Sequence, residues 1–204
     1  VTTDTVAWAE PPDKDEAGSP NVIGAVAMML AMGELNAIGM PAIAQHEAEL
    51  TAYALERLRP LPGLRLFGDS DPQRASERLG VIPFQVEGVS HFQVAAILGH
   101  EFGIGVRSGC FCAHPYVLRL LGLDHDRAEA VRMTILSGDR RTMPGMTRIS
   151  FGLYNTTQEI DRLLEALAIV AAGKHKGRYM QEPATGEFRP DGWAPDFGAV
   201  LRFS

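Results

Sequence analysis

The sequence predicts an α/β fold: a mixed sheet of about four strands with helices packed on it, preceded by long connecting helices. Three observations predict it. Apolar residues recur at helical spacing in two long N-terminal segments and in one near the C-terminal end. Four short apolar or alternating segments lie between them and read as strands. Long connections separate those strands, so parallel crossovers are expected beside antiparallel pairs.

Residues 1–19 are polar, carry Pro11, Pro12 and Gly18, and read as an irregular arm. Val22, Ile23, Val26, Met29 and Leu30 then repeat at helical spacing with few charges between them, which predicts a buried helix ending near Gly39. Pro41 suits the first turn of a second helix, with an apolar stripe of Ile43, Leu50, Tyr53, Ala54 and Leu58 and a wet face of His46, Glu47, Glu49, Glu56 and Arg57. Pro60, Pro62 and Gly63 stop it. Strands are expected at 64–67, 79–86, 104–107 and 147–154, with 68–77 a polar loop. Ser90 is placed to N-cap a helix through Phe102, and Gly103 to close it in a left-handed conformation. A short helix is expected over 116–121. The charged stretch 122–145 reads as an insertion with a helix over 128–136. Asn155 with Gln158 resembles a capping box opening an amphipathic helix to Ala172, with a stripe of Ile160, Leu163, Leu164, Leu167, Ile169 and Val170. The folded domain is thus read as 20–172. The tail, 173–204, is rich in Gly, Pro and aromatics and cannot form a core alone. Trp193, Phe197 and Phe203 would anchor it over the domain.

Composition narrows the function classes. The 204 residues carry 19 Lys+Arg against 25 Asp+Glu, a net charge of -6, which argues against a nucleic-acid partner. No apolar run reaches roughly 18 residues, so no membrane span is expected, and the first ten residues do not resemble a signal peptide. Two cysteines exclude a disulfide scaffold. Cys110 and Cys112 stand two apart, and on an extended segment such a pair bridges poorly, so both are expected as free thiols in a reducing, cytoplasmic setting. The chain starts with Val rather than Met, which suggests processing or a fragment.

Chemistry concentrates in three places. Val106-Arg107-Ser108-Gly109-Cys110-Phe111-Cys112-Ala113-His114-Pro115 puts a guanidinium, two thiols and an imidazole at the end of a strand. A thiol near Arg107 would gain thiolate character, although free cysteine also serves as a small buried hydrophobe. Cys110, Cys112 and His114 alternate, so on an extended strand they would face one way, a possible zinc set that lacks the usual second couple. Arg148 lies in an apolar strand, where it is either an exposed strand arginine or a planar fork for one carboxylate. Gly18 and Ser19, ahead of a helix start, offer amides and a hydroxyl to a phosphate, or form an ordinary N-cap turn.

Taken in order, Glu16-Ala17-Gly18-Ser19-Pro20-Asn21, Leu79-Gly80-Val81-Ile82-Pro83-Phe84, Val106-Arg107-Ser108-Gly109 with Cys112-Ala113-His114-Pro115, and Arg148-Ile149-Ser150 leading to Tyr154-Asn155-Thr156 resemble the C-terminal part of the class V aminotransferase family, nearest its cysteine desulfurase branch. The resemblance implies the small α+β-like domain of a fold-type I, pyridoxal-phosphate-dependent homodimer acting on a small amino acid. It implies that Cys112 takes sulfur from cysteine as a persulfide. Arg148 would bind the substrate carboxylate, with Arg107 and His114 in the same substrate motif. Gly18, Ser19 and Asn21 would belong to the cofactor-phosphate motif. Selenocysteine lyase, epimerase-like and molybdenum-cofactor sulfurase-like activities share these motifs, and Cys-Phe-Cys resembles the sulfurase loop. The family also needs a cofactor lysine. Lys14, Lys174 and Lys176 are the lysines here and none stands in a fitting context, so the chain is expected to be inactive alone. A non-catalytic dimerisation or binding module, associating through the helix 21–35, is the alternative.

Overall fold

The computed structural model describes residues 4–16 and 18–194. These residues form two compact units that divide between Ile43 and Ala44.

In the first unit, Asn21 caps helix α1 (Val22–Ile38) by accepting the Gly24 N–H at 2.9 Å, and Gly39 at φ +95° ends it. The expected helix is present, but its expected burial is not: α1 has no buried residue, and Ile23 is 85% exposed. Apolar side chains lie all around this helix rather than on one stripe. A unit of this size has too little chain to enclose them.

Helix α2 (Met40–Leu58) leads into the second unit, where Leu50, Thr51, Ala54, Leu55 and Leu58 form its buried stripe. Its wet face is partly recruited: the Glu47 carboxylate accepts the Gly80 N–H, and His46 Nε2 donates to Asn155 O at 3.2 Å. Among the described residues no single helix is both long and apolar enough to cross a membrane; α1 and α2 reach that measure only when taken together across their break.

Strands β1 (Leu64–Leu66), β2 (Val81–Val86), β3 (Arg107–Gly109) and β4 (Met146–Ser150) form a sheet in the order β1-β2-β4-β3. Every hydrogen-bonded pair is antiparallel, which corrects the expected mixed pairing. The crossover itself exists. Helix α3 (His91–Phe102) joins β2 to β3, which run the same way, but β4 inserts between them and no parallel pair forms. The third strand begins later than expected because Ile104 N–H reaches back to Leu98 O at 2.9 Å, completing the helix end at Gly103. Within 68–77 the chain makes a 3-10 helix, Pro72–Glu77, capped by Asp71.

One sheet face packs on α2, α3 and helix α6 (Thr157–Ala171), burying Ile82, Phe84, Val86 and Ile149 with Val94, Ile97, Ile160, Leu163 and Leu167. The box that opens α6 is Thr156 with Glu159, one residue beyond the expected Asn155 and Gln158. Asn155 instead accepts the Gly152 N–H at 2.6 Å. A smaller cluster gathers Phe67, Cys110, Val117 and Met146 around helix α4 (His114–Leu120). Helix α5 (His125–Leu136), capped by Asp124, occupies the insertion and has no buried residue.

The tail is more ordered than its composition suggests. Strands β5 (Tyr179–Gln181) and β6 (Phe188–Pro190) pair as a hairpin, and Trp193 meets the His100 ring edge-on at 5.3 Å. Phe197 and Phe203 lie outside the described residues. Glu101, near the end of α3, latches this segment by accepting Lys176 N–H at 2.9 Å, Gly177 N–H at 2.8 Å and the Tyr179 hydroxyl at 3.0 Å. Burial opposes the charged form of Glu101, but these donors outweigh it and hold the carboxyl below its usual range. Burial and the same bond push Tyr179 up to about 12.

Glu101→Ala strands these three donors. Amides of 177–190 should then open more easily by about 1–2 kcal/mol in hydrogen exchange, with β2 and β4 unchanged. Because the folded carboxyl is depressed, the latch is complete above the ordinary glutamate pKa and is lost as pH falls through the folded value. Equal protection in the variant and wild type would remove the latch from the account.

Candidate active site

The sheet face opposite the main core carries the chemistry. Arg107 on β3 and Pro83 on β2 are both register partners of Arg148 on β4, so the three side chains share one face. Buried Ile149 and Thr147 alternate to the other. Arg107 is exposed and Arg148 half-buried. Among the described residues neither forms an ion pair, and Arg148 Nε is buried with no hydrogen-bond partner. The Arg148 guanidinium carbon instead stands 4.8 Å from the Phe111 ring centroid. A buried guanidinium N–H without an acceptor is costly, and a planar anion would satisfy it.

Phe111 belongs to the loop that carries the thiols. That loop is not extended, as the alternation argument assumed. Phe111 and Cys112 have φ of +53° and +60°, and Ala113 N–H donates to Cys110 O at 2.8 Å. Two positive φ values closed by an i to i+3 bond make a type I′ turn. Positive φ at two non-glycine residues costs roughly 1–3 kcal/mol each, strain that folds retain mainly around functional loops.

The turn gives the two thiols different surroundings. Cys112 is exposed; Cys110 is buried, its Sγ donating to Pro144 O at 3.1 Å, and burial pushes that thiol up. The alternating zinc set therefore does not form: Cys110 and Cys112 face different surroundings, and among the described residues no three His, Cys, Asp or Glu side chains are grouped to hold a metal. His114, exposed on the first turn of α4, borders a groove of about 610 Å3 whose wall includes Cys110, His125 and α5.

One organising residue escaped the sequence reading. His91, first in α3, is buried, with Nε2 2.9 Å from Met143 O and Nδ1 2.7 Å from Ser108 Oγ. A carbonyl can only accept, so Nε2 carries the proton and Nδ1 accepts from the Ser108 hydroxyl. Burial lowers the His91 pKa, favouring this neutral form, against the bond to Met143. His91 thus ties the loop 143–145 to β3, beside the turn. A methyl at Gly145 would stand 2.6 Å from His91 Nε2 and 2.8 Å from Gly109 Cα, so a side chain does not fit there. The local signal was a histidine directly after an N-cap serine, too common to single out.

Gly18, Ser19 and Asn21 lie in the other unit. Asn21 is used as the cap of α1, and nothing stands within 4 Å of where a Gly18 side chain would be. Lys174 and Lys176 are exposed beyond α6, Lys176 bonded to Glu101 near the far end of α3 from His91.

Comparison with known proteins identifies the family of the chain. The chain is 34% identical over 160 residues to a cysteine desulfurase of Serratia proteamaculans, covering 78% of this chain and 32% of that protein. It is 36% identical over 167 residues to a probable cysteine desulfurase of Streptomyces coelicolor, covering 82% and 34%. The chain therefore spans about a third of the length of these relatives. Among solved structures, the apo cysteine desulfurase of Thermococcus onnurineus NA1 superposes with a TM-score of 0.63 at 29% identity, over 85% of this chain and 37% of that one. The family model described as aminotransferase class-V matches residues 1–163. On this match, and on the fold that carries it, the chain belongs to the class-V aminotransferase family.

Proposed function

We propose that this chain is the nucleophile-bearing part of a cysteine desulfurase-like enzyme. The observation that carries the reading is the pairing of an exposed thiol, Cys112, with a neighbouring Phe111 ring set against Arg148, whose buried Nε lacks a partner. Arg148 holds the carboxylate of a cysteine substrate, and the exposed sheet-face Arg107 adds positive charge beside it. The Cys112 thiolate attacks the substrate sulfur, the carbon–sulfur bond breaks with its electron pair passing to the substrate carbon, and the sulfur stays on the enzyme as a persulfide while the carbon fragment takes up a proton and leaves as alanine. Orientation by the Arg148 fork brings that sulfur to a thiol fixed on a tight turn.

The family's cofactor, pyridoxal phosphate, supplies the electron sink for carbon–sulfur cleavage when bound. Gly18 and Ser19 are the residues here suited to its phosphate, since both are exposed and no atom crowds the side-chain position of Gly18. In this reading the cofactor lysine belongs to the part of the relatives that this chain does not cover, and a homodimer completes the site. Cytoplasmic placement accompanies the reading. The exposed apolar α1 supports its companion, association through that helix.

Two experiments, alkylation and sulfide release, test the proposal. Native chain treated with iodoacetamide should be alkylated once, at Cys112, and a second time, at Cys110, only after denaturation; labelling of Cys110 in the native chain would contradict the thiol assignment. The chain supplied with pyridoxal phosphate and cysteine should release no sulfide. A chimera in which it replaces the matching segment of the Serratia enzyme should release sulfide. In that chimera Cys112→Ser should abolish release, and Arg148→Gln should lower kcat/KM for cysteine by about 30-fold or more, the effect of about 2 kcal/mol. A chimera indifferent to either substitution would overturn the assignment.

A further inference from the structure

Sulfur acceptance uses one thiol of the turn, and the structure places a second beside it. In a left-handed turn, residues two apart are separated by about 5.4 Å between Cα atoms, the chord of a helix of roughly 2.3 Å radius and 1.5 Å rise. A strand would set them about 6.7 Å apart. Disulfides span Cα separations of about 4.4–6.8 Å with a mode near 5.5–6 Å. The turn thus moves Cys110 and Cys112 from the edge of the permitted range to its centre, where the extended reading saw a poor bridge.

We propose that Cys110 is the resolving thiol of Cys112, and that a hydroperoxide closes a reversible Cys110–Cys112 disulfide across this turn. The two thiols differ as the roles require. Cys112 is exposed and meets the oxidant, whereas Cys110 is 5% exposed and shielded from it. Burial also keeps Cys110 protonated. Cys110 Sγ donates to Pro144 O, and a thiol–carbonyl bond of this kind is weak, so rotation toward Cys112 costs little. The turn is pinned on both sides: Ala113 N–H holds Cys110 O, and His91 holds Ser108 and the loop before β4.

The chemistry balances in two steps. The Cys112 sulfur attacks the distal oxygen of the hydroperoxide, the O–O bond breaks, and the alcohol or water leaves with the thiol proton; Cys112 becomes a sulfenic acid. The Cys110 sulfur then attacks Cys112 Sγ, the S–S bond forms, the S–O bond breaks, and hydroxide leaves with the Cys110 proton as water. Two thiols are oxidised and one hydroperoxide is reduced. A dithiol reverses the bridge by exchange. Closure blocks Cys112 as a nucleophile while protecting it from irreversible oxidation.

The test uses the whole chain, hydrogen peroxide and neither pyridoxal phosphate nor cysteine, so its outcome is separate from that of the desulfurase reading. After treatment, remaining thiols are alkylated in denaturant and trypsin releases Ser108–Arg119, the peptide with both cysteines. The expected product is this peptide unalkylated, monomeric and two hydrogens lighter, with dithiothreitol restoring both alkylation sites. Cys110→Ser and Cys110→Ala, each checked for native circular dichroism, should instead accumulate sulfinic and sulfonic acid at Cys112 that dithiothreitol does not reverse. Wild-type chain that acquires these oxygens as readily as the Cys110 variants, links the peptide to a second copy, or keeps both thiols alkylatable would overturn the proposal.

Discussion

The insertion of β4 between β2 and β3 is the constraint on which the site depends. It fixes Ile149 opposite Ile82 in the core and, one residue away, Arg148 opposite Pro83 and Arg107 on the other face. A slip of one residue would turn Arg148 into the apolar core and Ile149 out of it. An unpaired guanidinium there costs several kcal/mol, so the packing of α2, α3 and α6 on one face enforces the orientation of the arginine on the other. The stability of the main core and the chemistry of the site are two consequences of one register.

The thiol turn is held by a second, smaller set of contacts. His91 joins the start of α3 to β3 and to the loop before β4, with its tautomer set by the Met143 carbonyl. Cys110 joins the turn to the next residue of that loop, Pro144. Phe111 then points to Arg148 and Cys112 to solvent. A strained turn of non-glycine residues persists because its neighbours over-determine it.

Much of this was legible in the residues. Helices α2 and α6 followed from their apolar spacing, α3 from its caps at Ser90 and Gly103, and β2 from its apolar run, because local pattern and burial agree there. Cys112 and Arg148 were singled out by residue type and by resemblance. The antiparallel pairing was not legible, since a helical connection between β2 and β3 looks the same whether or not a later strand inserts between them. Nor was the shape of the thiol loop. Alternation of Cys110, Cys112 and His114 implied a strand, whereas positive φ at Phe111 and Cys112 is imposed by surroundings rather than by propensity. The tail hairpin was hidden because each strand has three residues and the first is held by Glu101, far away in sequence.

The central claim is that Arg148 presents a carboxylate site to Cys112. Iodoacetate and iodoacetamide differ by that one group, so the ratio of their alkylation rates at Cys112 reads the site directly. The account predicts that Arg148→Gln lowers the iodoacetate-to-iodoacetamide ratio by about tenfold, equivalent to about 1.4 kcal/mol, with the iodoacetamide rate little changed. A ratio that is the same in the variant and the wild-type chain would contradict it.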